Sequence, residues 1–143
     1  HIMSVNFIST FLITQQFVHQ LSKNSYGSII NIGSIVGENA FSDLVGYASS
    51  KSAISGFTKS LSLELSIKGY KTRVNCINPG FTKTSYYKKF SKNKKLYFWT
   101  IKKIAAKRWG NPEEISKLAI FLLSNRSSYI NGQVINIDGG WKP

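Results

Sequence analysis

Apolar residues recur at helical spacing between Ile8 and Leu21, at Ile8, Phe11, Leu12, Phe17, Val18 and Leu21, and predict an amphipathic helix. Ser25-Tyr26-Gly27 breaks it. Ser28 to Ile32 is a short, Ile-rich run between Gly27 and Gly33. Continuous apolar character of this kind predicts a parallel strand covered on both faces. A loop from Gly33 to about Asp43 leads into a long predicted helix from about Val45 to Lys68. Ala48, Ala53, Ile54, Phe57, Leu61 and Leu65 are its small or apolar positions, and Gly69 ends it. Arg73 to Ile77 reads as the next strand, stopped by Asn78-Pro79-Gly80. Phe81 to Trp109 has no clear period and predicts short helices. Asn111-Pro112-Glu113-Glu114 is a helix start, with a capping Asn, Pro at the first position and acids in the first turn. That helix runs to about Ser124, and Gln133 to Asp138 forms a last strand ended by Gly139-Gly140.

The order is helix, strand, helix, strand, excursion, helix, strand. Alternation of this sort predicts an α/β fold with a parallel sheet. Three strands make a thin sheet for two layers of helix, and the chain opens on the approach to a helix rather than on a strand. The expectation is one partial domain over residues 1–143 whose N-terminal half lies upstream.

Composition adds little to the fold but narrows the class. The 143 residues suit a single domain, and a hydrophobic share of 42% is ordinary for a globular protein. The longest apolar runs, such as Ala119 to Leu123, cannot span a bilayer, and no leader pattern is visible. Cys76 is alone, so no internal disulfide forms. His1 and His19 are too few and too far apart to suggest a metal site. These features predict a cytoplasmic protein without a membrane or metal partner. The net charge of +13 admits an anionic partner. The 19 basic residues divide into 16 Lys and 3 Arg, whereas readers of phosphate and bases lean on the bidentate Arg fork. A lysine-leaning composition and a selected anionic partner both remain open.

The candidate chemistry lies at three places. Tyr47 and Lys51 are four apart on a predicted helix and share a face. Ser34 stands just past the carboxyl end of a predicted parallel strand, the edge outside which open α/β sheets bind ligands. By themselves a Tyr–Lys pair and a Pro-Gly turn are commonplace. Together with their surroundings they are specific. Ile30-Asn31-Ile32-Gly33-Ser34, then Tyr47-Ala48-Ser49-Ser50-Lys51, with Val5-Asn6 before them, Asn78-Pro79-Gly80-Phe81-Thr82-Lys83-Thr84 after the second strand and Ile137-Asp138-Gly139-Gly140 at the end, resemble the catalytic half of the short-chain dehydrogenase/reductase family. The matches keep the family's order and cover nearly the whole chain. The resemblance is closest to bacterial 3-oxoacyl-[acyl-carrier-protein] reductases, followed by the polyol and sugar dehydrogenases near them.

The resemblance implies a partial Rossmann-like, doubly wound sheet holding the fold's last three strands. It implies NAD(P)-dependent reduction of a ketone, or the reverse, with Tyr47 as proton donor and Lys51 as its partner and ribose ligand. Ser34 would hydrogen-bond the carbonyl oxygen, and Asn6 would complete a water-linked relay to Lys51. Pro79, Gly80, Phe81, Thr82 and Thr84 would grip the nicotinamide end, and about 81–109 would be a flexible flap over the substrate. It further implies a small or carrier-linked carbonyl substrate and, for the full-length protein, a homo-oligomer, dimer or tetramer. Three parts of the family pattern are absent: the Gly-rich phosphate loop, the Asn-Asn-Ala-Gly segment, and the residue that would choose NADP or NAD. The competing reading is a basic module for nucleic acid or an acidic protein. Phe81 to Trp109 carries 10 Lys or Arg interleaved with Tyr86, Tyr87, Phe90, Tyr97, Phe98 and Trp99, as a stacking platform would. The family's order argues against nucleic acid.

Overall fold

The computed structural model describes residues 1–142, the side chains of Tyr86 and Lys89 excepted. Three strands form one parallel sheet in the order β1-β2-β3: β1 (Gly27–Ile32), β2 (Thr72–Pro79) and β3 (Val134–Ile137). The central strand β2 is the most covered, and Val74, Cys76 and Ile77 have no exposed surface. Helix α1 is Ser9–Gln20, α2 is Val45–Ile67, and α5 is Pro112–Leu123. The long helix α2 packs on one face of the sheet, where Asn31 Nδ2 donates to Thr58 Oγ1 at 2.9 Å. The other face carries α5, where Ser28 Oγ donates to the Leu122 carbonyl at 2.9 Å.

Arg73 explains how α5 is held there. Its guanidinium donates to the carbonyls of Leu122, Ser124 and Ile130 at 3.0 to 3.3 Å. The last carbonyls of a helix lack intrahelical partners and carry partial negative charge, so a cation is well placed against them. At the other end Asn111 and Glu114 form a reciprocal capping box, as the Asn-Pro-Glu-Glu pattern predicts.

The first helix starts earlier than its apolar period indicates. A π-helical turn, Ser4–Ile8, precedes α1 directly. Its wider turn bulges the backbone at Asn6, whose carbonyl accepts from Thr10 Oγ1 at 3.2 Å.

The irregular basic stretch resolves into α3 (Ser85–Phe90) and α4 (Lys94–Lys103). Asn93 caps α4 by accepting from the Leu96 amide at 3.1 Å. The ring contacts here count against the competing reading of a stacking platform. The rings of Phe81, Tyr87, Phe90 and Tyr97 lie 5.0 to 5.8 Å from that of Trp109, which is buried. Interleaved aromatics read along the chain as if all faced outward. Folding two short helices around Trp109 turns these four inward, because buried ring area is worth more than exposed ring area. Phe98 and Trp99 stay largely exposed; the Tyr86 side chain lies outside the described residues. No helix among the described residues is long and apolar enough to cross a membrane.

Candidate active site

β1 ends at Ile32, and the chain turns through Gly33 into Ser34. Ser34 is buried and accepts from the Val36 amide at 3.2 Å, capping a single 3-10 turn over Ile35–Gly37. That turn lies against the first half of α2. A Cβ on Gly37 would come within 2.9 Å of the Lys51 carbonyl carbon and the Ser52 nitrogen. Only glycine allows so close an approach of backbone to backbone. Ser52 Oγ also donates to the Gly37 carbonyl. The segment bearing Ser34 is therefore pinned beside the helix bearing Tyr47 and Lys51.

Tyr47 and Lys51 sit in the first two turns of α2, both half-buried. Lys51 Nζ lies 5.9 Å from the centre of the Tyr47 ring and donates to the Ile32 carbonyl at 2.9 Å. Burial lowers the Lys51 pKa from its ordinary value, partly offset by the nearby Cys76. Among the described residues the Tyr47 hydroxyl has no hydrogen-bond partner within the chain, and no hydrogen bond joins the side-chain heads of Ser34, Tyr47 and Lys51 to one another.

Asn6 reaches the same helix by another route. Its Nδ2 donates to Ser50 Oγ at 3.1 Å, and Ser50 Oγ donates to the Tyr47 carbonyl at 2.7 Å. Its direct link thus runs to the backbone of the Tyr47 turn.

The loop after β2 is built from backbone. Gly80 N donates to the Ile137 carbonyl, and a Cβ on Gly80 would sit 2.7 Å from Asp138 Cα. Thr82 Oγ1 donates to the Gly80 carbonyl at 3.1 Å, and Phe81 and Lys83 exchange hydrogen bonds with Gly110. The Phe81 ring is occupied by Phe41, Phe90, Trp109 and Trp141, so only its backbone faces the loop's surroundings. Thr84 precedes α3 without capping it, and among the described residues its hydroxyl has no hydrogen-bond partner. Pro79 is half-buried at the end of β2.

One residue of this region escaped the sequence reading. Glu38, four residues past Ser34, accepts from Asn78 Nδ2 at 3.1 Å and from Asn136 Nδ2 at 2.8 Å. One carboxylate thus ties the Ser34 segment to the ends of β2 and β3. The available signal was the rarity of acids, only 6 in the chain, with one falling so near Ser34.

The parallel sheet, the serine at a strand's carboxyl end and the Tyr–Lys pair on the next helix define a nucleotide-fold oxidoreductase type of site. Residues 1–142 match the family described as enoyl-(acyl carrier protein) reductase, and the chain belongs to this branch of the short-chain dehydrogenases/reductases. It is 39% identical over 140 residues to the 3-oxoacyl-[acyl-carrier-protein] reductase of Buchnera aphidicola, covering 98% of this chain and 56% of that protein. Among solved structures, a 4-hydroxyisoleucine dehydrogenase complexed with NADH is 29% identical with a TM-score of 0.91, covering 98% of this chain and 57% of that one. A gluconate 5-dehydrogenase from Burkholderia cenocepacia, in complex with NADP and tartrate, is 31% identical with a TM-score of 0.89, covering 96% and 53%. The chain spans little more than half the length of these relatives.

Proposed function

We propose that this chain carries the chemical half of an NAD(P)-dependent carbonyl reductase, with a 3-oxoacyl group on a carrier as the substrate class. The observation that carries the reading is the Lys51 ammonium, drawn into a partly buried position beside the Tyr47 ring and held on the Ile32 carbonyl. The relatives named above include both NADH- and NADP-bound enzymes, and this chain's residues do not choose between them.

The residues present suit the nicotinamide end of such a cofactor. Among the described residues the Tyr47 and Thr84 hydroxyls have no hydrogen-bond partner, and Lys51 has two of its three donors left after the Ile32 contact. Pro79, Gly80 and the Phe81–Thr84 backbone would border the carboxamide. When bound, the nicotinamide supplies a hydride to the carbonyl carbon. The Tyr47 phenol gives its proton to the carbonyl oxygen as that oxygen gains the electron pair of the C=O bond, leaving a phenolate and a secondary alcohol. A free phenol has a pKa near 10, too high to exchange protons readily at neutral pH. The Lys51 cation, beside the Tyr47 ring, stabilises the phenolate that this transfer leaves. The Ser34 hydroxyl donates to the oxygen as charge develops on it. Asn6 braces the Tyr47 turn through Ser50.

Residues 81–109 would cover the substrate. Their lysines, Lys88, Lys92, Lys94 and Lys95 among them, would attract an acidic carrier over a screened range. The Lys89 side chain lies outside the described residues. The exposed apolar residues Leu12 of α1 and Leu63 and Ile67 of α2 would pair subunits. A polyol or sugar substrate is the second reading, favoured by the gluconate enzyme's TM-score of 0.89.

The test is turnover of an acetoacetyl thioester by the native gene product with either reduced cofactor. Tyr47→Phe should lower turnover by about 100- to 10,000-fold, the usual range for a lost general acid, with the far-ultraviolet spectrum unchanged. Turnover by the Phe variant at the native rate would remove Tyr47 from the mechanism.

A further inference from the structure

At the foot of α4, four lysines surround a hollow of about 440 Å³: Lys102, Lys103, Lys107 and Lys142, with Ala105 between them. Like charges gathered on a loose surface splay apart into water. Here the backbone holds them together. Ala105 and Ala106 donate to the carbonyls of Gly140 and Gly139 at 3.1 and 2.9 Å, and Lys142 donates to that of Lys103 at 3.0 Å. Ile104 and Trp141 close the antiparallel bridge between the two segments.

Two of the ammonium groups are also fixed. Lys107 Nζ donates to the Lys102 carbonyl at 3.1 Å. Lys103 Nζ lies 5.2 Å from the Trp99 ring centre and 5.9 Å from that of Trp141. No acid lines the hollow. The ion pairs among the described residues, Lys68–Glu64 and Arg108–Glu114, lie elsewhere.

Independently, Lys107 has φ of +55°. A left-handed backbone suits glycine and strains a residue with a Cβ. Glycine at this corner would relieve that strain but remove the charge. Strain kept at a charged corner of a cavity points to a use for the charge.

We infer that this hollow, whose lining includes none of Ser34, Tyr47 and Lys51, binds a phosphorylated small molecule bearing several negative charges. Lysine ammoniums bind phosphate as point charges. The amides of Ala105, Ala106, Lys107 and Lys142 are all spent on backbone carbonyls, so no amide cradle reads the ligand's shape. Recognition therefore counts charge. The C-terminal end of α4 opposes an anion with about half a unit of negative charge, against four full positive charges around the hollow.

The experiment is calorimetry on the 143-residue chain at low salt, with tripolyphosphate, orthophosphate and citrate as probes; it needs no enzymatic turnover. Tripolyphosphate should bind saturably at one site, at least about tenfold tighter than orthophosphate and tighter than citrate, and weaken as salt rises. Lys107→Gly should raise the melting temperature and weaken tripolyphosphate binding by about fivefold or more. The pair Lys102→Gln and Lys142→Gln should weaken binding as much without the gain in melting temperature. The control set Lys92→Gln, Lys94→Gln and Lys95→Gln, outside the hollow, should stay within about twofold. Four results would each overturn the site: no saturable binding, citrate equal to tripolyphosphate, Lys107→Gly gaining stability with affinity intact, or the control set losing as much as the hollow's lysines. The last would point to a diffuse basic surface, as would an oligonucleotide binding tightly and losing affinity equally in all variants.

Discussion

Lys51 and Glu38 do their work through where the backbone leaves them. Burial pulls the Lys51 pKa down, so its positive charge is lost at a lower pH than an exposed lysine's would be. If that charge holds the Tyr47 phenolate, activity falls on the alkaline side as Lys51 deprotonates. Arginine stays protonated throughout the accessible range. A weakly active Lys51→Arg variant of the native gene product should therefore show its alkaline limb moved to higher pH. An unchanged profile would mean that another group sets the limb. Glu38 acts on structure instead. Asn78 is fully buried, and its amide nitrogen donates to Glu38. Glu38→Ala should cost about 1–3 kcal/mol in denaturant unfolding, the usual penalty for stranding a buried polar group. Glu38→Gln keeps one oxygen acceptor and should lose less.

Among the elements, α5 offers a test in pH. The Glu114 carboxyl is lowered from its ordinary 4.5 to about 2, first by the Arg108 hydrogen bond and then by the Asn111 amide. A carboxyl whose folded pKa is depressed stabilises the fold above its unfolded value and loses that contribution as pH falls through the folded one. The melting temperature should thus decline between pH 4.5 and about 2 more steeply in the native chain than in Glu114→Gln. Parallel curves would show that the Arg108–Glu114 pair, which is well solvated, adds nothing to stability. The same capping box and pair hold Gly110, against which the Phe81–Lys83 backbone is hydrogen-bonded. Through them the start of α5 supports the loop beyond β2.

For the whole molecule the open flank of β1 is decisive. β1 is an edge strand in the order β1-β2-β3, and a hollow of about 390 Å³ lies between it and α1, lined by Ile13, Phe17 and the strand itself. Parallel sheets are ordinarily covered and continuous, and ligands sit where the strand order reverses. On the function proposed above, this chain would supply residues for the nicotinamide, and its 143 residues hold no Gly-rich turn of the kind that seats a pyrophosphate at a helix start. The 143-residue chain should therefore bind NADH or NADPH with a Kd no tighter than about 1 mM, since most of the dinucleotide's contacts are missing. Micromolar binding in calorimetry would show that these residues suffice for the cofactor.

The sequence by itself determined the elements and the family. The Ile-rich run of β1, the Gly69 stop, the Asn111 cap and the order of Ser34, Tyr47 and Lys51 are local signals, set by side-chain period and backbone permissiveness within a few residues. Tertiary structure decided what depends on contacts distant in the chain. It turned Tyr87, Phe90 and Tyr97 inward on Trp109, where spacing alone could not say which way each ring faced. It brought Asn6, in the π-helical turn, to Ser50, 44 residues away. It joined Glu38 to Asn136 across 98 residues and brought Lys142 to Lys102, Lys103 and Lys107. A carboxylate or an ammonium acts on whatever lies within a few ångströms, and packing the sheet, not the order of residues, sets which groups those are.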